Sequence, residues 1–141
     1  VRRDDWPERL AAFLEARRRT PFSWTTHNCA LFAADAVEAM TGEDPVPDWR
    51  GAADKASLLA RLDTDHGGDL EAAATAVMGT PLERMRMAQR GDVVSAMTVG
   101  PGGEALALGV CLGGRCAFAG GDEGMGWTTL PLTACRLAWR V

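Results

Sequence analysis

Apolar positions fall at helical spacing as soon as the chain begins: Trp6, Leu10, Phe13 and Leu14 share one face, with Asp5 as N-cap and Pro7 in the first turn. This predicts a first helix that ends in Arg17-Arg18-Arg19, three cations suited to the negative end of the helix dipole and read as a solvated helix end. Thr20 to His27 reads as a loop anchored by Phe22 and Trp24, and Asn28 is a good N-cap for a second helix. That helix runs from Cys29 to Thr41 and closes at Gly42, with Cys29, Phe32, Ala33, Val37 and Met40 on one face. Its alanines allow a partner to pack very close. Gly42 to Gly51, carrying Pro45, Pro47 and Trp49, reads as an irregular crossing loop. Two shorter helices are expected over 53–62 and 69–78, the second ended by Gly79 and Pro81.

The period changes at Gly91. From there Val93, Val94, Leu106, Leu108, Val110, Leu112, Phe118 and Leu137 lie in short runs separated by glycines, the pattern of an antiparallel sheet. Helices first and strands second predict an α+β domain, its N-terminal helices packed on a C-terminal antiparallel β-sheet. One hairpin can be drawn in register: Gly113-Gly114 form a two-residue turn, so Leu112 faces Arg115 and Cys111 faces Cys116. Alternation then separates Leu106, Leu108, Val110 and Leu112 from a small-residue face of Ala105, Ala107, Gly109 and Cys111. That small face is expected to receive the Ala-rich second helix and bring the strand close to Cys29.

The chain has 141 residues, 47% of them apolar, which suits a single domain over 1–141 with a sizeable core and excludes disordered and low-complexity classes. A net charge of −4 argues against nucleic acid as a partner. Lys55 is the sole lysine; the Arg bias fits a GC-rich genome. No apolar run approaches the ~20 residues of a membrane span, and VRRDDWPERL lacks the apolar stretch of a secretion signal. The cysteines at 29, 111, 116 and 135 have no clustered ligand spacing, so neither a metal site nor an iron–sulfur cluster is expected, and no motif implies a cofactor.

Cys29 is the sharpest chemical candidate. A cysteine in the first turn of a helix meets the unpaired backbone N–H groups there, which favour thiolate over thiol and suit a nucleophile. The alternative is a small buried hydrophobe at the helix–sheet contact. Two histidines could serve as base: His27, two residues before Cys29, whose other reading is a loop anchor, and His66 in the polar run DTDHGG, read as a surface loop. Cys111 and Cys116 would lie within disulfide reach if oxidised and stay reduced in a protein assembled in the cytoplasm.

Three segments together resemble the NlpC family of papain-like cell-wall peptidases, and more closely its small members encoded among bacteriophage and prophage tail genes. They are FSWTTHNCALFAADAVEAMTG at 22–42, RGDVV at 90–94 and ALALGVCLGG at 105–114; Cys135 with AWRV at 138–141 is similar to the ending of the tail subgroup. The resemblance covers 20–141 and leaves 1–20 as an added N-terminal helix. It implies a papain-like NlpC-type fold with Cys29 as nucleophile. Aligned on Gly109 and Val110, the family's catalytic histidine falls at Ala107, which leaves His27 as the remaining candidate base. The implied protein is therefore a catalytically degenerate structural or assembly component of a phage tail tip, located in the virion, assembled in the host cytoplasm and contacting hub or distal-tail subunits. Loops bounded by Pro or Gly make Trp49 and Trp127 the expected interface aromatics. The competing reading is an active cysteine peptidase or amidase that uses Cys29 on peptidoglycan while the phage genome enters the cell.

Overall fold

A computed structural model describes residues 1–23, 28–50, 56–57, 60–61, 63, 67–100, 103–121 and 124–141. Its helices with defined ends are α1 (Trp6–Ala16), α2 (Cys29–Thr41) and α3 (Leu70–Met78). The strands are β1 (Val93–Gly100), β2 (Gly103–Cys111), β3 (Arg115–Ala119), β4 (Trp127–Pro131) and β5 (Ala138–Trp139), joined in one antiparallel sheet of order β4-β3-β2-β1-β5. The α+β class is as the hydrophobic periods indicate. The helix expected over 53–62 falls largely outside the described residues.

The sequence signals at the helix ends act unequally. Asn28 caps α2, its side-chain oxygen accepting from the N–H groups of Ala30 and Leu31 at 3.0 Å each, and Gly42 ends the helix in the left-handed conformation. Asp69 caps α3 in the same way. Asp5 precedes α1 but makes no cap; its carboxylate accepts from Arg9 Nε at 2.7 Å instead.

In place of a single apolar face, α2 is buried along every described side chain from Ala30 to Val37. Such all-round burial marks a central helix. One side carries Ala30, Ala33 and Val37 against Val93, Leu108 and Trp139; another carries Phe32, Ala36 and Met40 against Leu10, Leu14 and Val110. The helix thus packs on the Leu108 and Val110 face of β2. This overturns the expectation that the small-residue face receives α2. Ala107, Cys111, Cys116 and Phe118 lie on the opposite face, covered by Leu82, Met85, Ala88 and the segment from Leu130 to Cys135. The physical reason is volume: the larger aliphatic side chains fill the gap to a helix, while the small face leaves room for Phe118. At Gly109, whose cross-strand partner is Phe118, an added Cβ would lie 2.6 Å from that ring and 2.2 Å from the Ala117 carbonyl oxygen.

Asp92, immediately before β1, is fully buried and ties both chain ends to the sheet. Arg2 Nη2 donates to its Oδ1 at 2.7 Å, Val141 N–H to the same oxygen at 3.3 Å, and Gln89 N–H to Oδ2 at 2.9 Å. Arg140 Nε lies 3.6 Å from Oδ2. The Arg2 guanidinium also stacks 4.4 Å above the Trp6 ring, so one cation joins α1, β1 and the C-terminal segment.

Candidate functional site

Cys29 is the first residue of α2, and the Asn28 cap fixes where that helix begins. The other named partners of a cysteine chemistry, His27 and His66, lie outside the described residues, as does Trp24. Behind the first turns of α2, a cleft of about 40 Å³ runs between Ala30, Ala34, Trp49, Ala73 and Leu108. Its lining among the described residues is wholly apolar.

Ala107, the residue aligned with the strand histidine, pairs with Ala96 on β1 and is 2% exposed. It packs among Val94, Cys111 and Phe118 on the side of the sheet away from α2. A side chain at 107 is therefore directed into that second core.

The two tryptophans expected in exposed loops are placed differently. Trp49 ends a short 3-10 turn, Pro47–Trp49, and is 8% exposed against α2 and α3, so the expectation of an exposed indole there is corrected: its neighbours are core residues. Trp127 opens β4 half-buried, its Nε1 donating to the Leu14 carbonyl oxygen at 2.8 Å. Next to it, Gly126 N–H donates to the Arg18 carbonyl at 2.7 Å, and a Cβ at Gly126 would sit 1.8 Å from the Arg17 carbonyl oxygen. Trp127 separates two shallow grooves, one bordered by Arg18, Arg90 and Leu112, the other by Arg18, Arg19 and Met125.

Sequence reasoning passed over two polar clusters. Asp35, on the buried side of α2, takes Arg17 at 2.8 Å and also Arg50. Arg17 is thus drawn out of the solvated run expected at the end of α1. Arg50 further donates to Asp44 at 2.9 Å and lies 3.7 Å from Glu38. At Asp44 burial opposes ionisation, but the hydrogen bonds from Arg50 and the Val46 N–H outweigh it and hold the carboxyl below its ordinary range. Ser95, fully buried on β1, donates to Glu71 at 2.7 Å and accepts from Leu137 N–H at 3.1 Å, while Arg136 completes the pair with Glu71. An Asp in the middle of an alanine-rich helix was the available signal for the first cluster: a buried charge requires countercharges from elsewhere in the chain.

A further cluster holds the remaining cysteines, and its Cys111–Cys116 pair is as the hairpin register indicates. Cys111 and Cys116 are paired across β2 and β3, and Cys135 packs against the core cluster that contains both. Among the described residues no group of three or more His, Cys, Asp or Glu is arranged to hold a metal ion, and no helix is long and apolar enough to cross a membrane.

A family model described as a domain of unknown function, DUF6950, matches residues 1–141. The chain belongs to the DUF6950 family. The match takes in α1, whose Leu10 and Leu14 share a core with Phe32 and Met40 of α2. Neither the curated proteins nor the solved structures include a significant match to the chain.

Proposed function

We propose that this DUF6950 protein has a papain-like fold of the NlpC type without the catalytic base, and serves as a structural or assembly component of a bacteriophage tail tip. Position 107 carries the reading. The residue that the NlpC resemblance aligns with the base is an alanine, and it lies 2% exposed on the face of the sheet away from α2, so no side chain at 107 serves Cys29. Loss of general acid–base catalysis alone costs about 10²–10⁴ in rate, and a group acting in concert with a nucleophile can cost more. A scaffold needs only its surface. Two features suit that role: Trp127 between its arginine-bordered grooves, and the outer part of the β1–β2 ribbon, where Met97 is 44% and Val99 81% exposed. The partners are hub or distal-tail subunits, met in the host cytoplasm during assembly and kept in the virion.

An active cysteine peptidase is the second reading, favoured by one observation: the capped N-terminus of α2 begins at Cys29, where the helix favours a thiolate. Muropeptide release from purified peptidoglycan, measured beside Cys29→Ala, separates the two. Silence from both proteins is expected, together with binding to tail-tip subunits of the same phage that Val99→Asp weakens. Release that disappears in Cys29→Ala would replace the structural reading by the enzymatic one.

A further inference from the structure

We propose that Cys111, Cys116 and Cys135 form a three-thiol relay oxidised by hydroperoxides, in which Cys135 meets the oxidant and a Cys111–Cys116 disulfide is the product. Three geometric facts point to it. Cys111 and Cys116 are direct cross-strand partners, and the neighbouring Leu112 N–H donates to the Arg115 carbonyl at 2.8 Å, which makes the cysteines a non-hydrogen-bonded pair. Such pairs hold their Cα atoms about 4.5 Å apart, within the span a disulfide bridges. Cys135 packs against the core cluster that holds Cys111 and Cys116, which puts all three on one face of the sheet. Finally, Cys111 and Cys116 are fully buried, whereas Cys135 follows the short turn Leu132–Ala134 and is partly open to solvent. A reagent in water therefore reaches Cys135 first.

The protonation states suit the first and last steps, in which Cys135 and Cys111 attack; Cys116 gives up its proton only as it attacks in the second. The Cys116 thiol, hydrogen-bonded to Cys111 and Cys135 and desolvated, is pushed well up and keeps its proton. The same hydrogen bonds lower its neighbours: Cys111 to about 7, with a further bond from the Gly113 N–H, and Cys135 below the ordinary thiol value. In the first step the Cys135 thiolate attacks the peroxide; an S–O bond forms, the O–O bond breaks, and the alcohol leaves after taking a proton. Cys116 then attacks the Cys135 sulfenic acid, forming an S–S bond and releasing water with its own proton. Last, the Cys111 thiolate attacks the Cys116 sulfur and Cys135 departs as thiolate. Two thiols and one hydroperoxide become one disulfide, one alcohol and one water. The outcome is a staple between β2 and β3 and a regenerated surface thiol.

The chain is arranged for a clear test, since trypsin cuts after Arg115 and puts Cys111 on peptide 91–115 and both Cys116 and Cys135 on 116–136. The folded protein is treated with one equivalent of hydrogen peroxide, remaining thiols are alkylated, and the digest is read by mass spectrometry without reduction. Expected is a link between the two peptides that fragmentation assigns to Cys111 and Cys116. Cys135→Ser should slow its formation about tenfold or more, and Cys111→Ser should stop the reaction at a loop within 116–136. Cys116→Ser should leave a Cys135 sulfenic acid that dimedone traps. An unchanged rate in Cys135→Ser overturns the relay. So does a wild-type protein in which Cys135 oxidises further while Cys111 and Cys116 remain alkylatable, a result that requires no variant to fold.

Discussion

Asp92 shows how much one side chain can determine. Its carboxylate is fully buried and its charge is met by Arg2 at 2.7 Å and Arg140 at 3.6 Å. Removing one partner of such a group leaves the others desolvated and unpaired, so Asp92→Asn should destabilise the fold by roughly 2–4 kcal/mol, read from urea unfolding. Arg2→Ala should cost more than Arg140→Ala, because the Arg2 side chain is the less exposed and the closer of the two. The two capping residues offer a second comparison. Asn28 is fully buried and Asp69 caps an exposed turn, yet each accepts from two backbone N–H groups. Alanine at either removes a cap worth about 0.5–2 kcal/mol; Asn28→Ala should fall at the upper end, since the freed N–H groups there have no water to turn to. Thermal unfolding of the two variants side by side checks the order.

Among the elements, those whose signal is local were legible. Asn28 and Gly42 mark the two ends of α2, Gly79 the end of α3, and Gly113-Gly114 set the register of Cys111 opposite Cys116. Which face of β2 meets α2 was not legible, because alternation sorts side chains into two faces without saying what lies on either. The cover of the small face comes from residues 82–88 and 130–135, which carry no periodic pattern of their own. The same blindness put Trp49 in an exposed loop: Pro45 and Pro47 signal irregular backbone, and irregular backbone can still hold a buried ring. Of the candidate site, Cys29 could be placed at the head of its helix and Ala107 on its strand, while the ion pairs of Asp35 depend on residues remote in sequence. Gly109 supplies the element-scale prediction. Alanine there would meet the Ala117 carbonyl and the Phe118 ring well inside van der Waals distance, and should destabilise by about 3 kcal/mol or more. Pairing it with Phe118→Ala should not restore stability, because the closer obstacle is backbone; urea midpoints of the single and double variants test this.

For the molecule as a whole, acid is the condition that reaches the Arg50 cluster. Asp44 has a folded pKa below its ordinary value, so its contribution to stability is complete above the unfolded carboxylate range and is lost as pH falls through the folded value. The urea midpoint should accordingly fall between about pH 5 and pH 2, and Asp44→Asn should flatten that fall while lowering stability near neutrality. The closing strand has a different consequence, one of timing. During synthesis α1, α2 and the first four strands all emerge before Ala138 and Trp139, and until those two residues pair with Val94 and Val93 the outer side of β1 is bare. A bare strand edge is a template for the wrong neighbour. Arg140 and the Val141 N–H reach Asp92 together with that closing strand. A chain cut before Ala138 would therefore keep nearly all of its core residues and present an open edge, prone to join another copy of itself.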